Sequence, residues 1–339
     1  MLHGHGDDGY RYGREFKANF SSNVWLPTRL EALRDHLFAR FNCVTRYPEA
    51  AGESLESMIA EIQGVRVDNL LMCNGATAGI YTVAHALHGR RSTVVFPTFS
   101  EYEDACRVNG HALDFLQWDA FVAGAEPEGD VVWVCNPDNP TGAALSADWL
   151  RARIDGRPGK LWVIDQAYMD FCLEPALALK EVLTRPNLIL VRSKTKRFGI
   201  PGLRLGYVAA SAEHIRTLAR FSPPWSLNVM AIEAGKFLLK DRFEPVLAEY
   251  LAETQRFRAA LATIPGVEPL PTQTGYFLVR LPADRDSTQL KNDLIEQHDI
   301  LIRDAANFRG LDHRYVRLAT QRPEHNRLLV EALRAWMAA

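Results

Sequence analysis

Six short runs of almost wholly apolar residues, each stopped by polar or glycine-rich residues and separated by stretches of helical texture, dominate the first two-thirds of this chain. They cover residues 69–73, 92–96, 131–135, 161–164, 188–191 and 207–209. A strand with one wet face alternates apolar with polar residues, whereas a short continuous apolar run fits a strand covered on both faces. Such strands interleaved with helices predict an α/β fold built on a mostly parallel sheet with helices on either side. Ligands of open α/β sheets bind beyond the carboxyl ends of the strands, so chemistry is to be sought just after each run. Those positions read NGAT (74–77), PTFSEY (97–102), NPDNPTG (136–142), DQAY (165–168) and SKTK (193–196).

At 339 residues the chain exceeds the size at which one core stops growing, so a large domain with a smaller companion is expected. The texture changes after FSPPWSLN to a long helical stretch (229–264), strands near 276–281 and 315–318, and a last helix from Glu324. The prolines at 223 and 224 suit a bend there. The expected division is an N-terminal arm (1–28), a large domain (29–222) and a small C-terminal α/β domain (223–339).

With 47% apolar and 24% charged residues and a net charge of -2, the composition is that of an ordinary globular protein and gives no footing for nucleic acid. The five cysteines are scattered without CxxC spacing, which argues against a disulfide framework or zinc site and for a reducing cytoplasm. The N-terminus lacks an apolar signal core and no run reaches membrane-spanning length, so neither export nor a membrane partner is expected. His3 and His5 are too few for a metal site, and no metal is expected.

In RSKTKRFGIPGLRLGY (192–207), Ser193 stands three residues before Lys196 and Arg204 eight after it. An amine at a strand end, partly desolvated among Lys194, Arg197 and Arg204, favours its neutral, nucleophilic form and can form an imine with an aldehyde. A hydroxyl and a planar guanidinium at those spacings suit a phosphate dianion. A solvated basic loop accounts for the same segment equally well, and Lys194 is a rival nucleophile. NGAT opens a helix: Gly75 permits a tight turn and Thr77 adds a hydroxyl to free N–H groups, an arrangement fit for phosphate or for simple capping. Asp165, ending a run, either caps the next helix or pairs with a buried cation such as a protonated pyridine. Tyr168 and Asn139 can donate to a ring oxygen, although NPDNPTG also reads as a plain turn. Phe99 offers a face for stacking or a piece of core.

Together, NGAT, PTF, NPDNPTG, DQAY and SKTK resemble, in order and spacing, the class I and II aminotransferase family, over essentially the whole chain. The resemblance implies a fold type I pyridoxal-5′-phosphate (PLP) enzyme with Lys196 as the Schiff-base lysine, Asp165 against the pyridine nitrogen and Phe99 stacked on the ring. It further implies Asn139 and Tyr168 on the phenolic oxygen, and Ala76, Thr77, Ser193 and Arg204 around the phosphate. Tyr47 of RYP resembles a tyrosine that reaches the phosphate from a neighbouring subunit, which implies a homodimer.

Within the family, RYP and the lysine motif are similar to the histidinol-phosphate aminotransferases. ANFSSN, KTKRFGIPGLRLGY, PPWSLN and ILIRDAANFRGLDHRYVRLA resemble the decarboxylases that act on O-phospho-L-threonine in cobalamin biosynthesis. On that resemblance Arg317, assisted by Arg303, grips an anionic group, and His3, Ser22 and Asn23 of the arm close over the substrate. The expected reaction is decarboxylation of O-phospho-L-threonine to (R)-1-amino-2-propanol O-2-phosphate, with transamination of histidinol phosphate or a related amino acid as the alternative. Either way the substrate is a small phosphorylated amino acid or amine. Gln166, Ala78 and Gly79 depart from the family pattern.

Overall fold

The computed structural model describes residues 6–24, 30–240 and 247–339; His3 therefore lies outside the described residues. In chain order the regular elements are β1 (Ala18–Asn19), α1 (Leu30–Ala39), α2 (Glu53–Gln63), β2 (Leu70–Asn74), α3 (Gly75–Ala86), β3 (Arg91–Phe96), α4 (Glu101–Val108), β4 (Ala112–Gln117), α5 (Trp118–Val122), β5 (Val131–Cys135), α6 (Ala147–Asp155), β6 (Leu161–Asp165), β7 (Leu188–Ser193), β8 (Leu205–Ala210), α7 (Ala212–Ala219) and α8 (Val229–Lys240). Then follow α9 (Leu247–Leu261), β9 (Glu268–Pro269), β10 (Tyr276–Arg280), α10 (Ser287–His298), β11 (Ile300–Leu301), β12 (Arg303–Asp304), β13 (Tyr315–Ala319) and α11 (Pro323–Ala338).

Seven strands form one sheet in the order β2-β8-β7-β6-β5-β3-β4, parallel except for β8, which runs against both its neighbours. Strand alternation sends successive residues to opposite faces, and the apolar runs therefore feed two cores at once. Val132, Val134, Trp162, Ile164, Leu188 and Leu190 pack on one face with α2, α5, α6 and α8. Val131, Trp133, Val163, Ile189 and Val191 pack on the other with α3, α4 and α7. Each fully buried Val, Leu or Ile contributes roughly 1.5–3 kcal/mol, so two-sided burial outweighs the modest differences in intrinsic strand preference. All six expected strands are present. β4 was not foreseen: it is a half-buried edge strand whose Asp114 accepts from Thr93 Oγ1 at 2.9 Å, and it lacks the fully apolar texture of its neighbours.

A second sheet, β12-β13-β10-β9, is antiparallel throughout and packs under α9, α10 and α11. β1 pairs in parallel with β11, and Phe20 sits fully buried in this second core, which ties the N-terminal arm to it. The expected long helix over 229–264 is two helices, α8 and α9, in the described residues. Leu227, Ala231 and Ile232 belong to the first core. We propose from this packing that the division of the chain falls beyond α8 and not at residue 223. No helix among the described residues is long and apolar enough to cross a membrane.

Candidate active site

A cleft of about 450 Å³ opens over the carboxyl ends of the parallel strands, with walls from α3, α4, the NPDN turn, the N-terminal arm and the second sheet. Lys196 lines it and Lys194 does not, which separates the two candidate nucleophiles. The Lys196 amine lies 5.7 Å from the centre of the Tyr168 ring and forms no salt bridge among the described residues. Tyr168, following DQA, is itself buried and packs edge-on against Tyr276 at 4.9 Å.

The side chain of Asp165 lies beneath this floor, 3% exposed. Its Oδ1 accepts from the backbone N–H of Ala167 at 2.8 Å, and its Oδ2 from the hydroxyl of Tyr102 at 2.7 Å. Burial raises its pKa above the ordinary carboxylate range, while the Tyr102 and Ala167 bonds and the charges of Lys196 and Arg192 pull the other way. No cation bridges it among the described residues, so it is a buried acid suited to a positively charged partner.

At one end of the cleft α3 begins at Gly75, and its N-cap residue Asn74 makes no capping bond through its side chain. The first N–H groups of the helix are thus left to an anion. Two glycines make room here. A Cβ on Gly75, whose φ is +81°, would stand 2.3 Å from a terminal nitrogen of Arg204; one on Gly206 would stand 2.5 Å from the amide nitrogen of Ala76. The absence of both Cβ atoms lets the Arg204 guanidinium and β8 close onto the helix start. Arg204 holds a left-handed backbone, φ 57°, and donates to Pro201 O at 3.1 Å. Thr77 lines the cleft, whereas Ser193 is buried behind it and shares a 2.9 Å hydrogen bond with Thr195. Free N–H groups, a guanidinium and a threonine hydroxyl are a phosphate-binding set, and with Lys196 and Asp165 they fit PLP.

Beside the N-terminal arm, β12 and β13 bring two arginines together in the cleft: Arg303 and Arg317 are direct cross-strand partners. Arg317 is 5% exposed. It donates from Nη1 to Asn139 Oδ1 and from Nη2 to Ser21 O, while its Nε is buried with no partner among the described residues. Arg303 donates to Asn307 Oδ1 at 2.8 Å and lies 5.0 Å from the Phe308 ring centre. Burial and the neighbouring Arg317 lower its pKa to about 10, so it stays charged at neutral pH. The arm closes over this pair, because a Cβ on Gly6 would come within 3.0 Å of Arg303 Cδ and 3.2 Å of Arg317 Nη2.

Asn139 is the hinge of the arrangement. Its Oδ1 takes the Arg317 donor and a long 3.5 Å contact from Asn23 Nδ2, which leaves its own NH2 group as the donor toward the cleft. Asn23 and Ser22 both line the cleft, and Asn23 Oδ1 is buried without a partner among the described residues. Phe99 lines the cleft as well and stands edge-on to Tyr102.

Of the expected site residues, Ser22, Asn23, Thr77, Phe99, Asn139, Tyr168, Lys196, Arg204, Arg303 and Arg317 meet in this cleft, whereas Asp165, Ala76 and Ser193 are not among its lining residues. Tyr47 does not enter it: the ring is 85% exposed and leans on Trp225 at 5.2 Å. Sequence reasoning missed Tyr102, Gly6, Ser21 and Glu101, the last being a buried carboxylate of the lining that accepts from Tyr81 at 2.7 Å. The position of Tyr102 on the first turn of α4 was the available signal, since a helix entering beside β3 turns that turn toward the strand ends.

The model of the family "Aminotransferase class I and II" matches residues 17–333. The chain is 32% identical to a threonine-phosphate decarboxylase of Salmonella typhimurium over 93% of its length and 90% of the relative's. It is 30% identical to a histidinol-phosphate aminotransferase of Desulfitobacterium hafniense, over 93% and 89%. The crystal structure of L-threonine-O-3-phosphate decarboxylase from Porphyromonas gingivalis superposes with a TM-score of 0.92 at 37% identity, covering 95% of this chain and all of that one. A lysine-bearing cleft over a parallel sheet, a buried acid and an uncapped helix start thus meet a family match across nearly the whole sequence, and the chain belongs to the class I and II aminotransferases, fold type I enzymes that depend on pyridoxal 5′-phosphate.

Proposed function

We propose that the protein decarboxylates O-phospho-L-threonine, giving (R)-1-amino-2-propanol O-2-phosphate for cobalamin biosynthesis, as a homodimer in the cytoplasm. The observation that carries this reading is the cross-strand pair Arg303–Arg317, buried side by side in the second sheet and lining the same cleft as Lys196. Two guanidiniums side by side, one with a buried Nε that has no partner among the described residues, fit a second dianion on the substrate. The similarity to threonine-phosphate decarboxylases supports the same choice.

PLP, when bound, supplies an electron sink that weakens whichever bond to the substrate's Cα stands perpendicular to its ring. The chain's own residues do the rest. Lys196 carries the cofactor and is the amine that moves a proton at Cα. Asp165 would face the ring nitrogen, Phe99 would cover one ring face, and Asn139 and Tyr168 would donate to the ring oxygen. Ala76 N, Thr77 and Arg204 would hold the cofactor phosphate, with Ser193 assigned to the same group on the family resemblance. Arg303 and Arg317 grip the substrate phosphate, and Ser22 and Asn23 close over it with Gly6 and exclude water. Fixing the phosphate there orients Cα, and so selects the carboxylate for cleavage over the proton. The homodimer reading is supported by the exposed Tyr47–Trp225 pair and an apolar groove lined by Leu37, Phe38, Phe41 and Met230.

Transamination of histidinol phosphate is the second reading, favoured by the similarity to a histidinol-phosphate aminotransferase. One assay separates them. With O-phospho-L-threonine and no keto acid, CO2 release is expected; glutamate formation from histidinol phosphate and 2-oxoglutarate, without CO2 from phosphothreonine, would overturn the proposal.

A further inference from the structure

Tyr102 is 1% exposed, on the first turn of α4. Its hydroxyl donates to Asp165 Oδ2 at 2.7 Å and also meets the Cys135 thiol, while its ring stands edge-on to Phe99 at 5.8 Å and stacks on Trp133 at 6.0 Å. Among the described residues Asp165 has two hydrogen-bond donors, one on each oxygen: a backbone N–H that cannot move, and this phenol. The last torsion of an aspartate is soft. With Oδ1 alone pinned the carboxylate can rotate, and with both pinned its plane is fixed. A phenol donating to a buried carboxylate also favours the ionised form, against the desolvation that opposes it.

We propose that Tyr102 is a positioning residue: through its hydroxyl it fixes Asp165 toward the cofactor's ring nitrogen, and through its ring it sets the wall formed by Phe99. The inference rests on the reading of Asp165 as the partner of that nitrogen. Two elements, α4 and β6, are thereby coupled at one buried hydrogen bond, so the face and the nitrogen edge of the cofactor are located by a single side chain. Charge-assisted hydrogen bonds of this kind are among the stronger polar contacts in a protein interior.

The test uses holoenzyme reconstituted with 15N-labelled pyridoxal 5′-phosphate, read by the 15N chemical shift of the ring and by titration of the apo-protein with cofactor. The wild type is expected to show a protonated ring nitrogen. Tyr102→Phe, which keeps the ring and removes the hydroxyl, is expected to move that signal toward the unprotonated position and to weaken cofactor binding on the order of tenfold. Trp133→Phe disturbs the stacking and leaves the hydroxyl; its nitrogen signal is expected to match the wild type. In an Asp165→Asn background, Tyr102→Phe is expected to add no further change in either readout.

An unchanged signal in Tyr102→Phe, an equal displacement in Trp133→Phe, or full additivity with Asp165→Asn would each overturn the inference. A wild type that shows no protonated nitrogen would instead overturn the assignment of Asp165, and this inference with it.

Discussion

Arg303 and Arg317 look alike in sequence, yet they are held differently. Arg317 is fixed by Asn139 and Ser21, whereas Arg303 reaches Asn307 and packs on Phe308. Arg303→Ala is expected to raise KM for a phosphorylated substrate by about 10- to 100-fold, the size of a lost charge-assisted contact, with cofactor affinity unchanged. An unchanged KM in steady-state assays would contradict its role. Asp138, in the same turn as Asn139, is fully buried, and burial lifts its pKa from 3.8 to about 7 against the hydrogen bonds from Thr141 that lower it. A carboxyl whose folded-state pKa exceeds its unfolded value stabilises the fold most below 3.8 and loses that contribution as pH rises to about 7. Asp138→Asn is therefore expected to gain stability relative to wild type as pH rises through that window, by about 2–4 kcal/mol at pH 8. Denaturant unfolding at pH 5 and pH 8 measures it, and an equal difference at both would contradict the assignment.

At the scale of elements, the approach of α3 to β8 makes the proposed phosphate end, and it depends on Gly75 and Gly206. Gly75→Ala puts a Cβ at a φ of +81° and against Arg204. It is expected to cost about 1–3 kcal/mol in stability and to weaken cofactor binding about tenfold, the effect of one displaced charged contact. Gly202→Ala, at an open position with ordinary φ, is the control and is expected to change neither. Equal affinity in the two variants would remove Gly75 from the phosphate site.

Element reading from sequence succeeded where both faces of a strand are buried, as in β5 (Val131–Cys135), and failed where one is not, as in β4. β12 is only two residues long, too short for any pattern, so the facing of Arg303 and Arg317 rested on resemblance alone until the register was seen.

At the scale of the molecule, the cleft exists because two sheets of different construction meet over the strand ends. Lys196, Asp165 and Thr77 come from segments following the parallel strands and were legible from that rule. Tyr102 was not: its hydroxyl reaches Asp165 only because β5 lies between β3 and β6, which sequence does not give. The arm was legible only in part; Ser22 and Asn23 line the cleft, but the fit of Gly6 against both arginines is a tertiary contact that no sequence spacing encodes.

Everything proposed for the site turns on which amine carries the cofactor. Borohydride reduction of the holoenzyme, followed by peptide mass mapping, measures this directly. The account predicts a single pyridoxyl-phosphate increment on the peptide bearing Lys196, lost in Lys196→Ala with the fold retained. An increment on Lys194, or on any other residue of the wild type, would contradict it.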